Sequence, residues 1–202
     1  EKKLERKYDK AQDYTYTNWV LKSNDSVRKI FKEKFTSQQL TTIVALNRVD
    51  KTTFATVDTL LIPDQFDDDF LAYSPFPYTL SRAKDVKKLA IFLYPIQAYG
   101  LYENGELVKW GPSSMGSKQH KTPEGLYFCN WKGEETVSTF DDEWILRWNF
   151  NLDNKEGIAW HQYTLPGTPA SHSCLRLLEA DAKWMYDWAD EWILADKETV
   201  KA

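Results

Sequence analysis

Hydrophobic and polar positions run through this chain in two rhythms. In the first third, strand and helix periods trade places. Tyr14 and Tyr16, followed by Trp19-Val20-Leu21, predict a short strand. Asn24-Asp25-Ser26 offers helix-cap chemistry ahead of Val27, Ile30, Phe31 and Phe35, an apolar face at helical spacing. Ser37 caps a second helix carrying Leu40, Ile43, Val44 and Leu46, which stops near Asn47. Thr59 to Pro63 reads as a strand closed by proline. From Leu89 the period of two takes over. Leu89–Tyr94 and Ala98–Tyr102 are strands, and Asn104-Gly105 is a hairpin turn because that pair tolerates positive φ. Leu107–Trp110 returns as the partner. Gly125–Cys129, Trp144–Phe150 and Gly157–Trp160 follow as further strands. The chain then closes on a helix from Leu178 to Leu194, with Ala182, Met185, Trp188, Ala189 and Trp192 on one face. The fold class that results is mainly β with some α.

These patterns divide the chain into four stretches. Residues 1–13 are charge-rich and form a solvated arm; 14–63 is a small βααβ module; 64–87 is a linker; 88–202 is a β-rich domain ending in a helix. Within the linker Tyr73, Pro75, Phe76, Pro77 and Tyr78 are too apolar for a free tether and predict packing against a surface. The triplet Asp67-Asp68-Asp69 matches no calcium loop and reads as a solvated acidic run.

Composition adds exclusions. Of 202 residues 42% are hydrophobic, enough for a real core, and 26 basic against 30 acidic side chains leave a net charge of −4 without a basic stripe. That pattern argues against nucleic acid as the partner. No apolar run approaches the length of a membrane span. The opening EKKLERKYDK reads as a mature or trimmed start. No cofactor or metal is called for, and a monomer is expected.

Chemistry concentrates in HQYTLPGTPASHSCLR, from His161 to Arg176, which holds two of the three histidines and one of the two cysteines. A thiol beside an imidazole is the machinery of cysteine acyl transfer, because the thiolate is the nucleophile and a base must make it. His161 ends a strand, and Leu165-Pro166-Gly167-Thr168-Pro169 can return the chain so that Cys174 meets it. With Cys174 in a loop before the last helix, the helix dipole would favour thiolate. The amides of Ser173 and Cys174 would make an oxyanion hole. Two rival chemistries use the same residues: a zinc site from His161, His172 and Cys174, and a Cys129–Cys174 disulfide.

SHSCLRL at 171–177, with His161 upstream, resembles the SHGC-x-R signature of L,D-transpeptidases of the YkuD type. LYENGELVKW at 101–110, Ser114-Met115-Gly116, Lys121–Tyr127 and Gly167-Thr168-Pro169 support the resemblance in the right order. It implies a β-sandwich-like catalytic domain acting on peptidoglycan stem peptides through a thioester on Cys174. His161 would be the base, oriented by a backbone carbonyl such as that of Gln162. His172 would shape the loop, Ser171 and Ser173 would line the oxyanion side, and Arg176 would support the loop or hold a substrate carboxylate. Residues 15–63, chiefly ALNRVD and LLIP, resemble a LysM peptidoglycan-binding module, with Asn24-Asp25-Ser26 in place of the usual Gly-Asp-Thr. The resemblance places the protein in the periplasm or cell envelope. Two positions depart from the pattern. Ser173 stands where the signature has glycine, at a cost of about 1 kcal/mol if φ there is positive. The return from His161 to Ser171 is shorter than is usual in the family. Hydrolysis by the same acyl-enzyme (an L,D-carboxypeptidase) and a non-catalytic wall-binding role are the alternatives to transpeptidation.

Overall fold

The computed structural model of the protein describes residues 14–21, 29, 31, 33–138 and 144–189. The arm expected at 1–13, the Asn24-Asp25-Ser26 loop and the last turns of the expected C-terminal helix lie outside them. The described residues are mainly β with few helices. They fall into two compact units, one drawing on 14–47, 54–93 and 98–111, the other on 48–53, 94–97 and 112–189.

In the first unit β1 (Tyr16–Val20) pairs antiparallel with β2 (Thr59–Pro63), Trp19 opposite Leu60. Between them α1 spans Ser37–Leu46. Its cap is Thr36, one residue before the expected Ser37, because Thr36 and Gln39 form a reciprocal capping box that satisfies two amides at once. Thr42, Ile43, Val44 and Ala45 are buried in succession, so its second half is covered on more than one side. Asn47 closes the helix and staples it to β2: its amide donates to Ile43 O and Leu61 O, each at 2.8 Å, and its Oδ1 accepts from Leu61 N at 2.8 Å.

A second sheet of this unit runs β3 (Lys88–Leu93), β4 (Ala98–Glu103), β5 (Glu106–Pro112), turning at Asn104-Gly105 with positive φ at both residues. The 64–87 segment lies in its core. Tyr73, Phe76 and Tyr78 are buried with Tyr102, Leu107 and Trp110, and Trp110 Nε1 donates to Phe70 O at 2.9 Å. Gly100 is glycine because the Phe76 ring lies where a Cβ would stand.

The second unit holds a four-stranded sheet in the order β6 (Trp131–Val137), β7 (Ile145–Asp153), β8 (Ile158–Gln162), β9 (Leu175–Leu177). The first three are antiparallel and β8–β9 is parallel. α2 (Glu179–Trp188) packs on β7 and β8, burying Ala182, Met185 and Trp188 as its spacing predicts. Three expectations change here. The apolar run 125–129 is not a strand; Leu126 and Phe128 are exposed. The strand begins instead at Trp131, where WKGEETV takes the sheet edge and keeps a mostly polar face to solvent. Finally, Cys174 precedes β9 rather than a helix, and α2 starts only at Glu179, so a dipole that acts within the first turn does not reach the thiol.

Candidate active site

The β8–β9 register builds the site. Trp160 pairs with Leu175, His161 with Arg176 and Gln162 with Leu177. Side chains alternate faces along a strand, so His161 and Arg176 share one face, while Leu175 and Leu177 are buried on the other. Cys174 lies one residue before Leu175 and joins the His161 face. Cys174 and His161 both line a pocket of about 150 Å³ together with Trp144, Gly157, Tyr163 and Arg176.

His161 is buried, and its Nδ1 lies 2.9 Å from its neighbour's carbonyl, Gln162 O. A carbonyl only accepts, so Nδ1 carries the proton and Nε2 carries the lone pair. Burial pushes the His161 pKa down to about 4; the Gln162 bond opposes that shift and the Arg176 charge adds to it. The imidazole is therefore neutral at pH 7.

Cys174 is half-buried and free, as is the buried Cys129, so no disulfide links them. Its Sγ donates to Gly157 O at 3.5 Å. Burial raises the thiol's pKa, against smaller lowering effects from the Ala159 backbone and Arg176. The resting pair is thus thiol and neutral imidazole, not thiolate and imidazolium. Arg176 lies 4.4 Å over the Tyr163 ring, and burial lowers its pKa. No carboxylate pairs with it among the described residues.

The turn before the nucleophile is tightly held. Ser171 is buried, its Oγ donates to Cys174 O at 2.6 Å, and its backbone bridges Gly116. Ser173 adopts φ +86°, so the strained conformation foreseen for it is present. Its Oγ donates to His120 O at 3.2 Å. Its carbonyl accepts from Thr122 Oγ1 at 2.8 Å. Among the described residues no acceptor pairs with the Ser173 or Cys174 amide. His172 is exposed, its ring 4.8 Å from that of His120 and 6.3 Å from that of Trp144. No group of three potential ligands has metal-holding geometry among the described residues, His161, His172 and Cys174 included.

Of the residues singled out, His161, Ser171, His172, Cys174 and Arg176 line this pocket, whereas Gln162, Ser173 and the 165–169 return do not. Trp144, Gly157 and Tyr163 also line the pocket, and Thr122 holds the Ser173 carbonyl beside it; sequence reasoning gave none of the four a role. Two of them had a positional signal: Thr122 sits in the Lys121–Tyr127 match and Tyr163 inside the His161–Arg176 segment.

A family model for the L,D-transpeptidase catalytic domain matches residues 95–199. No curated protein matches the chain. Among solved structures, an L,D-transpeptidase from Stackebrandtia nassauensis is similar at 22% identity and TM-score 0.48, covering 58% of this chain and 57% of that one. One from Mycobacterium smegmatis is similar at 21% identity and TM-score 0.45, covering 50% and 54%. L,D-transpeptidase 3 from Mycobacterium tuberculosis is similar at 16% identity and TM-score 0.44, covering 65% and 70%. The chain spans little more than half the length of the first two.

Proposed function

The chain belongs to the L,D-transpeptidase catalytic-domain family, and on that footing we propose that Cys174 performs cysteine acyl transfer on peptidoglycan stem peptides. The observation that supports this most is the β8–β9 register, which gathers the thiol, the His161 imidazole and the Arg176 guanidinium on one face around one pocket.

In the first half-reaction His161 Nε2 takes the Cys174 proton as Sγ attacks the carbonyl of the third stem residue. A C–S bond forms and the carbonyl electron pair moves onto oxygen, where the amides of Ser173 and Cys174 receive it. Collapse breaks the C–N bond to the terminal D-amino acid, and His161 returns the proton to the leaving amine. In the second half, an amine of another stem attacks the thioester and its proton passes through His161 to the departing sulfur. Water in that role would release the tripeptide, the carboxypeptidase outcome. The neutral His161 suits the base role at pH 7, and the raised thiol pKa means the proton moves only as attack proceeds. Arg176, with no carboxylate partner among the described residues, is available to a substrate carboxylate. Gln162 orients the base through its carbonyl, Ser171 holds the carbonyl of Cys174, and His172 forms an outer wall.

Action on such a substrate implies the periplasm or cell envelope, and a monomer is the proposed form. The proposed functional division, which does not follow the two compact units, is a LysM-like wall-binding module over 14–63, a packed connecting segment over 64–87 and a catalytic domain from 88. Intact-mass measurement after incubation with a stem tetrapeptide tests the chemistry. The expected result is a tripeptide acyl adduct on wild-type protein and none on Cys174→Ala. Reduced, folded wild-type protein that gives no adduct would sink the proposal. Product analysis with a second stem then separates cross-linked dimers from released tripeptide.

A further inference from the structure

The turn that carries the nucleophile is fixed by a hydroxyl outside the His161–Arg176 segment. Thr122 is buried, and its Oγ1 accepts from Gly116 N at 2.9 Å while donating to Ser173 O at 2.8 Å. One side chain thus spans two backbone turns. The first of these is closed so tightly that a Cβ on Gly116 would run into His120 O and the Thr122 amide. Gly116 also bridges Ser171, and Ser117 N donates to Ser171 O at 2.9 Å. The 116–122 turn is therefore anchored to the start of the nucleophile turn by backbone, and to its strained residue by Thr122.

The carbonyl that Thr122 holds belongs to the Ser173–Cys174 peptide, whose other end is the Cys174 amide. A trans peptide is planar, with C=O and N–H pointing opposite ways, so fixing the oxygen aims the hydrogen. That amide has no acceptor among the described residues. On the next peptide, Ser171 Oγ holds Cys174 O. The two peptides flanking the nucleophile are thus each gripped by one hydroxyl. The geometry points to Thr122 as a positioning residue for the acyl-transfer step, one that aims the Cys174 amide at the developing oxyanion. This rests on the acyl-transfer reading of the site. It assigns Thr122 no contact with substrate and no part in making the nucleophile.

That division of labour makes the inference testable on the full chain. Acylation by a carbapenem passes through an oxyanion, whereas alkylation by iodoacetamide displaces iodide and forms none. Both report on the same sulfur. In Thr122→Val the acylation rate constant should fall by about ten-fold or more, since losing an oxyanion donor outright costs about 100-fold or more. The alkylation rate should stay within about two-fold of wild type, an electrophile that makes no oxyanion having no use for the donor. Thr122→Ser keeps the hydroxyl and should restore acylation. If the valine variant does not fold, Thr122→Ala gives the same comparison. Equal acylation by wild type and Thr122→Val overturns the assignment, and so does a parallel loss of both reactions, which marks a merely structural role. Wild-type protein that alkylates but never acylates overturns the acyl-transfer reading itself, an outcome distinct from the other two.

Discussion

A neutral thiol beside a neutral imidazole reacts differently from an ion pair, and Cys174 should show it. The Cys174 pKa is raised by burial and that of His161 is pushed down to about 4 by the same cause. Iodoacetamide alkylation of Cys174 should therefore climb continuously from pH 6 to beyond the ordinary thiol pKa of about 8.5. A plateau between pH 5 and 7 would reveal a thiolate–imidazolium pair and contradict this reading. At the same scale the φ of +86° at Ser173 has a separable cost. Ser173→Gly should relieve about 1 kcal/mol of backbone strain while losing one bond to His120 O of similar worth. Its urea midpoint should stay near that of wild type, whereas Ser173→Ala keeps the strain, loses the bond and should drop. Cys174, His161 and Arg176 were legible in the sequence because their residue types are scarce and carry their chemistry openly. Thr122 and Tyr163 were not. Threonine and tyrosine serve everywhere, and only contacts at long range show Thr122 on Ser173 O and Tyr163 beneath Arg176.

The elements tell a similar story of local against distant information. The Asn-Gly hairpin, α1 and β2 appeared where the pattern put them, because turn chemistry and periodicity are written in adjacent residues. The edge strand β6 did not, since one buried Lys132 among polar neighbours gives no alternation to read. Least legible was the strap at 48–53, which clasps the loop between His161 and Cys174. Val49 bridges Pro166, Gly167 N donates to Arg48 O at 3.0 Å, and Leu165 N donates to Asp50 Oδ2 at 2.6 Å across 115 residues. The other Asp50 oxygen accepts from Thr52 N and Thr53 N at 2.7 and 2.8 Å. Asp50→Ala would strand the amide of Leu165, a residue with no exposed surface, and should cost about 1–3 kcal/mol. Urea unfolding measures that cost, and hydrogen exchange should show the 163–167 amides opening first. A variant as stable as wild type, with unchanged exchange in that loop, would mean that the strap bears no weight.

For the molecule as a whole, two of these groups act on stability with the same sign. His161 has a pKa of about 4 when folded and an ordinary one near 6.5 when unfolded, so between those values the unfolded chain binds the extra proton. Stability is then fully present above about pH 6.5 and falls as the pH drops toward 4, by roughly 3 kcal/mol in total. Asp50 has its folded pKa lowered; burial acts in the opposite direction but is outweighed by the hydrogen bonds from Thr52, Thr53 and Leu165. Its contribution is present above the unfolded carboxylate value and disappears as the pH falls through the folded one, a lower window than that of His161. The protein should therefore lose stability in two acid limbs, the first from a buried base and the second from a half-buried acceptor. Urea midpoints taken from pH 7.5 down to 3 should show both. In His161→Gln, which has nothing to protonate, the limb between pH 6.5 and 4 should flatten while the lower limb remains. Asp50→Asn should do the reverse, lowering the plateau and weakening only the lower limb. Identical slopes between pH 6.5 and 4 for wild type and His161→Gln would show that the imidazole is not held neutral in the fold, and the base assigned to Cys174 would lose its physical ground.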